Sequence, residues 1–404
     1  MNFIWLFVAV LAPASFTNSA EIRRTFTENK IVNDGIEIQH HPDFGLDISQ
    51  FLEKYGYPLE SYEITTEDGY ILTVHRIPHG KDGSQKTEDL DRPPILLMHP
   101  LVCSSIDMVN LGPDKSIGLL LADEGYDVWL GNVRGNAWSR RHISLDPDGD
   151  AAFWNFTFDD IGLYDIPATI DLILNTTGRE QLSYLGHSQG TAQFFVMNTL
   201  KPEYNRKVNV MVAFAPIAYM KNITQPLIRW LADNMDLVYG VLADLNINEL
   251  LPYNDFLTNL VHSFCCDGCG LQELCGDFIG FLVGFDRDQL DGSFIEVMAS
   301  NAPTGTSTKN IKQFGQLINS GVFGRFDYGI LGNLEIYGQL SPPEYDLSLI
   351  TVPVALYYGG NDTLSLPHKK LFIFNLPKWK NTENNCKALE GQVPSLLLLW
   401  TPKR

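Results

Sequence analysis

The stretch Gln181–Thr191, QLSYLGHSQGT, constrains this chain more than any other part of it. A short apolar run leads into Gly186-His187-Ser188-Gln189-Gly190, and a helix-forming stretch follows as far as Leu200. A strand that turns directly into a helix forces the serine at the junction into a strained conformation and pushes its hydroxyl outward. Glycines two positions before and after are needed because a side chain there would collide with the neighbouring strand or helix. The N–H of Gln189 opens the helix and points to where an oxygen gaining negative charge would sit. A bare G-x-S-x-G also arises by chance in loops. The strand in front and the helix behind make Ser188 a candidate nucleophile.

The flanking pattern places that corner in a sheet. Leu46–Tyr55 has helical spacing and stops at Gly56-Tyr57-Pro58. Ser61–Thr66 and Tyr70–Arg76 alternate as strands around Glu67-Asp68-Gly69, a hairpin signal. Ile95–Met98, Tyr126–Leu130 and Val208–Ala215 are apolar runs, broken only by Asp127 and Asn209, as expected of strands buried on both faces. Helical stretches alternate with them, at Ser116–Glu124 and as one long amphipathic helix over Phe158–Asn175. The alternation predicts an α/β fold, a mostly parallel doubly wound sheet whose ligands bind beyond the carboxyl ends of the strands.

From about Ile217 to Pro342 that rhythm gives way to helical segments rich in Leu, Phe and Ile, which read as an inserted helical cap or as further core helices. The sheet resumes at Val352–Tyr358 and ends in Gly359-Gly360-Asn361-Asp362. An Asp just past a late strand is where such a fold places the acid that orients a histidine, although it also suits a simple turn. The expected organisation is a signal peptide over 1–20, a core in two parts (21–216 and 343–404) and the insertion over 217–342 between them.

The chain has 404 residues and a formal net charge of −19, so nothing basic is available to neutralise nucleic-acid phosphates. Asn2–Ala14 is apolar but too short to span a bilayer, and small residues follow as far as Ser19-Ala20. This reads as a signal peptide without the usual basic start, and no other stretch is long enough to be transmembrane. Export permits disulfides. Of six cysteines, four crowd together at Cys265, Cys266, Cys269 and Cys275. A local disulfide and a compressed zinc site are both open readings, although no histidine pair accompanies the cluster. Sequons at Asn155, Asn175 and Asn222 suit an exported glycoprotein. A fourth, at Asn361, adjoins the candidate acid. No metal or nucleotide site is evident, and Gly131–Gly135 lacks the lysine and hydroxyl of a phosphate-binding loop.

Roughly from Gly56 to Lys369, the chain resembles the acid lipase family of α/β-hydrolases, the gastric and lysosomal lipases and their insect relatives. The motifs that carry the likeness are YGYPLESYEITTEDGYILTVHRIP, LLMHPLVCSS, LADEGYDVWLGNVRGNAWSRRH, FWNFTFDDIGLYDIPATIDLI, GHSQGT, AFAPIA, APTGTS and VPVALYYGGNDTL. By this resemblance Ser188 matches the nucleophile and Asp362 the triad acid. Leu101 and Gln189 match the residues whose backbone amides hold the oxyanion, and Cys266 and Cys275 the cap disulfide. One departure is Pro100, where the family has Gly in H-G-L-L; proline restricts the backbone there. The resemblance implies a secreted or lysosomal enzyme without cofactor. It would hydrolyse triacylglycerol or sterol esters at a lipid–water interface through a serine acyl-enzyme.

The mechanism also needs a histidine after the acid, in an N-H-x-D-F-like motif that the family carries downstream. That motif is absent here, and beyond Asp362 only His368 remains, where the family begins a helix. His187 lies in the elbow facing away from Ser188, and His99 belongs to the oxyanion loop. From about residue 381 the tail shows no helical pattern and ends in LLLLWTPKR. The C-terminal end of the fold is therefore expected to be incomplete, through an altered gene model or splice form or through loss of the base. The alternative function is a catalytically impaired lipid-binding protein. A glycosylated interaction scaffold has no specific feature behind it.

Overall fold

The computed structural model describes residues 41–81, 92–253 and 292–357, with Gly359, Asp362 and the backbone of a two-residue ribbon (Val32–Asn33 with Ile36–Glu37). The stretch 1–20 expected to be a signal peptide, the cysteine cluster with Cys266 and Cys275, Asn361, His368 and the tail lie outside the described residues.

Helix α1 (Ile48–Tyr55) starts where Asp47 and Gln50 form a capping box and ends at Gly56 with φ +77°. Strands β1 (Glu60–Thr65) and β2 (Ile71–Ile77) form the predicted hairpin. Next come β3 (Pro94–Met98), helix α2 (Ile117–Asp123) and β4 (Asp127–Leu130). Helix α3 (Ile166–Thr177) precedes β5 (Leu182–His187), helix α4 (Gln189–Leu200) and β6 (Val208–Phe214). Among the described residues, helices α5 (Pro226–Asp233), α6 (Met235–Asp244), α7 (Gly292–Ala299), α8 (Thr308–Ser320) and α9 (Gly329–Tyr337) follow. Strand β7 (Val354–Tyr357) comes last among the described elements.

The sheet runs β7-β6-β5-β3-β4-β2-β1. Its first five strands are parallel, and the hairpin joins antiparallel at β4. Strand β7 pairs directly with β6, so the long stretch of chain between them connects two neighbouring parallel strands. Alternate residues feed opposite faces, as the pleat requires. Leu96, Met98 and Trp129 join the core under α3 and α4, whereas Ile95, Leu97, Val128 and Leu130 pack with α1 and α2. Helices thus cover both faces of the mostly parallel sheet.

The long helix expected over Phe158–Asn175 is interrupted. A short α-helical turn at Phe158–Asp160 passes into a π-helix at Ile161–Asp165 before α3 begins. Pro167, near the start of α3, has no N–H to give to the preceding turn, and its ring crowds the carbonyl there. A widened turn relieves both problems.

The buried Arg134 ties the loop after β4 to that helix and to the hairpin. Its guanidinium reaches Asp165 (Nε to Oδ1, 2.8 Å) and Asp68 (Nη2 to Oδ1, 2.9 Å), and its backbone N–H donates to Asp165 at 2.9 Å. The guanidinium carbon also lies 3.9 Å from the Tyr70 ring centroid. Removing one partner of such a pair strands a buried charge. Arg134→Gln should therefore lower unfolding free energy by about 3–5 kcal/mol in urea denaturation; a loss within ~1 kcal/mol would show that the network contributes little.

Candidate active site

Ser188 sits at the junction of β5 and α4 with φ +52° and ψ −116°, a conformation sparsely populated for any residue with a side chain. The junction is held on both sides. Ser188 N donates to Phe214 O at 2.9 Å, and Thr191 N and Oγ1 donate back to Ser188 O at 2.9 and 2.6 Å. The side chain makes no capping bond to α4, and among the described residues no hydrogen-bond partner of its hydroxyl is found. The residue as a whole is half-buried.

Both flanking glycines are sterically required. A Cβ at Gly190 would lie 2.5 Å from Met98 O on β3, and one at Gly186 would lie 2.7 Å from the Gly190 carbonyl carbon. These are the strand and helix collisions expected from the sequence.

Leu101 and Gln189 belong to different elements. Gln189 is the first residue of α4, where backbone N–H groups lack intrahelical partners. Its buried side chain accepts from Asn310 Nδ2 at 2.9 Å. Leu101 is half-buried in the loop after β3, where Val102 has φ +54° and Cys103 N donates to Pro100 O at 3.3 Å. Pro100 thus leaves the Leu101 N–H in a tight turn. Asp362 lies just past β7 on the carboxyl side of the same sheet, 1% exposed, with its N–H donating to Gly359 O at 3.3 Å. Asn155, Asn175 and Asn222 are all exposed.

The histidines near the loop are locked. His99 is buried, with Nδ1 2.7 Å from Pro100 O and Nε2 3.3 Å from both Val133 N and Asn136 Nδ2. The carbonyl requires Nδ1 to carry the proton, and two donors face Nε2, so the ring is neutral. His75 is buried against Ser105, whose backbone N–H donates to Asn132 Oδ1 at 2.9 Å; Asn136 Nδ2 donates to the same oxygen at 2.9 Å. This polar network braces the loops after β3 and β4 against each other. His187 is buried and lines a cavity with Pro100, Cys103, Asp107, Leu111 and Met298. Burial pushes the Asp107 carboxyl up to about 7 despite the Ser104 N–H it accepts at 2.8 Å.

Two features escaped the sequence reading. The Asn310–Gln189 bond spans 121 positions, and no local pattern marks it. The Arg134 network involves residues from the hairpin, a loop and a helix, and only their charges hinted at pairing.

Burial pushes the His99 pKa down to about 4 although the Pro100 carbonyl favours the charged ring. The unfolded chain, with a histidine near 6.5, then binds more protons between those values, so stability falls as pH drops from about 6.5 to about 4. His99 accounts for on the order of 3 kcal/mol of that fall. Comparing denaturation of wild type and His99→Gln at pH 7 and 4.5 should show a smaller loss in the variant; equal losses would contradict the locked neutral ring.

Comparison with known proteins agrees with this architecture. The chain matches the partial alpha/beta-hydrolase lipase region over residues 48–112 and the alpha/beta hydrolase fold over residues 93–373. Gastric triacylglycerol lipase of Rattus norvegicus is 39% identical over 347 residues, 84% of each chain. Lipase 3 of Drosophila melanogaster is 41% identical over 78% of this chain and 79% of its own. Lipase member K of Homo sapiens is 36% identical over 81% of this chain and 80% of its own. No helix among the described residues is long and apolar enough to cross a membrane. With a strained serine at the strand–helix corner of a mostly parallel sheet, and relatives of this identity along most of its length, the chain belongs to the α/β-hydrolase fold family, in its lipase branch, and is by family a hydrolase.

Proposed function

We propose that the chain hydrolyses carboxylic esters of neutral lipids, triacylglycerols or sterol esters, with Ser188 as nucleophile. The observation that carries this reading is the Ser188 backbone at φ +52°, which presents a hydroxyl unbonded among the described residues at the start of α4. Ser188 Oγ attacks the acyl carbon and passes its proton to a base. The carbonyl oxygen takes the negative charge and is stabilised by the Leu101 and Gln189 amides. The alcohol leaves protonated, and water releases the acyl group. Asp362 is the acid that orients the base.

Residues 217–342 serve as a cap over the site. Helix α9 supports action at a lipid surface, since Ile330, Leu331 and Leu334 are 67%, 81% and 50% exposed on one short helix. Secretion or lysosomal delivery is inferred from the apolar N-terminal stretch and from the exposure of Asn155, Asn175 and Asn222, the proposed glycan sites. The Cys266–Cys275 disulfide belongs to the same proposal.

A second reading is a lipid-binding protein with impaired catalysis. It is favoured by the locked rings of His99 and His75, neither of which hydrogen-bonds Ser188. Fluorophosphonate labelling with hydrolysis of a short-chain nitrophenyl ester separates the two. The enzyme reading expects one adduct, on Ser188, and turnover reduced at least about a thousandfold in Ser188→Ala. A folded wild type that neither labels nor turns over would leave the binding reading.

A further inference from the structure

The stretch from Thr304 to Asn310, which leads into α8 between β6 and β7, touches both sides of the proposed oxyanion hole. Thr304 N donates to Val102 O at 2.8 Å, and its Oγ1 donates to Cys103 O at 2.7 Å. Both acceptors follow Leu101 directly in the loop after β3. Asn136 Nδ2 reaches the Cys103 carbonyl from the core, but at 3.5 Å. At the other end of the stretch, Asn310 Nδ2 holds the Gln189 side chain.

The loop needs such support. Val102 is β-branched and sits at φ +54°, a strained conformation that persists only where its surroundings impose it. The Thr304 bonds land on that residue and the next. The stretch is itself fixed to the core. Ser307 Oγ donates to Phe156 O at 2.6 Å and accepts from Asn310 N at 2.9 Å. Gly305, at φ +94°, packs so closely that a Cβ there would lie 3.0 Å from Gly135 O.

We propose that Thr304 and Asn310 are positioning residues that set the separation of the Leu101 and Gln189 amides, so that the segment leading into α8 assembles the oxyanion hole. The inference rests on the Ser188 reading above. Oxyanion donors act within a narrow range, about 2.7–3.1 Å, and a misplacement of about 1 Å can cost on the order of a hundredfold in rate. Any contact that displaces this stretch is then felt at both donors at once. The cap and the chemistry are linked through it.

The test compares Thr304→Val, which removes the hydroxyl at nearly constant volume, with Thr304→Ser, which keeps it, and with Asn310→Ala. With a soluble nitrophenyl ester, Thr304→Val and Asn310→Ala should each lose about tenfold in kcat with KM unchanged, and Thr304→Ser should keep the wild-type rate. Amide hydrogen exchange in the resting protein should speed up around residues 101–104 in Thr304→Val and around Gln189 in Asn310→Ala, and not elsewhere. The proposal is overturned if Thr304→Ser is as impaired as Thr304→Val. Wild-type exchange at these places in the variants, or acceleration spread evenly over the chain, also overturns it. If the wild type hydrolyses no ester, the proposed function fails, and the exchange comparison alone decides whether the stretch holds the two sites.

Discussion

The close approach of α4 to β3 and β5 is the constraint on which the site depends. Gly190 sits against the Met98 carbonyl, and Gly186 sits against the first turn of the helix. That contact leaves too little space for a relaxed turn, so the residue between the two elements takes the strain. The strain is distributed: Phe214 O on β6 holds the Ser188 N–H, and Thr191 holds its carbonyl. The serine is therefore over-determined by three elements. Its hydroxyl remains the one part of the residue not needed to hold the turn.

Around this corner the structure buries polar groups where an apolar core would be simpler. His99, His75, Asn132 and Asn136 form a hydrogen-bonded support between the loops after β3 and β4. Arg134, between Asp68 and Asp165, extends the support to the hairpin and to α3. Burying such groups is costly unless they are bonded, and once bonded they tolerate few alternative arrangements. A loop proposed to present one amide at a fixed point would benefit from that intolerance. Val102 in a left-handed conformation shows that the loop does not adopt its shape on local preference.

Much of the fold could be read from residues a few positions apart. The apolar runs before Pro100, Gly131 and Ser188 mark strands buried on both faces, and the structure places them in adjacent parallel positions with ends shifted by a residue or two. The strand–helix corner was legible because its glycines and serine are consecutive. What escaped was long-range or stereochemical. The π-helix before Pro167 is a geometric response to one missing N–H, which apolar spacing does not register. Thr304 meets Cys103 across 201 positions, and Asn310 meets Gln189 across 121, so no window of sequence contains either pair. The electrostatic partners of Arg134 were equally hidden, since any of several acidic residues nearby would have suited it.

The strained corner and the loop after β3 are proposed to form together a site for a tetrahedral, negatively charged centre. A crystal structure of the protein treated with an alkyl phosphonate ester should then show phosphorus bonded to Ser188 Oγ, with the phosphoryl oxygen about 2.7–3.1 Å from the backbone nitrogens of both Leu101 and Gln189. An adduct whose oxygen faces solvent or any other pair of donors, or a phosphonate attached elsewhere with Ser188 untouched, would contradict it.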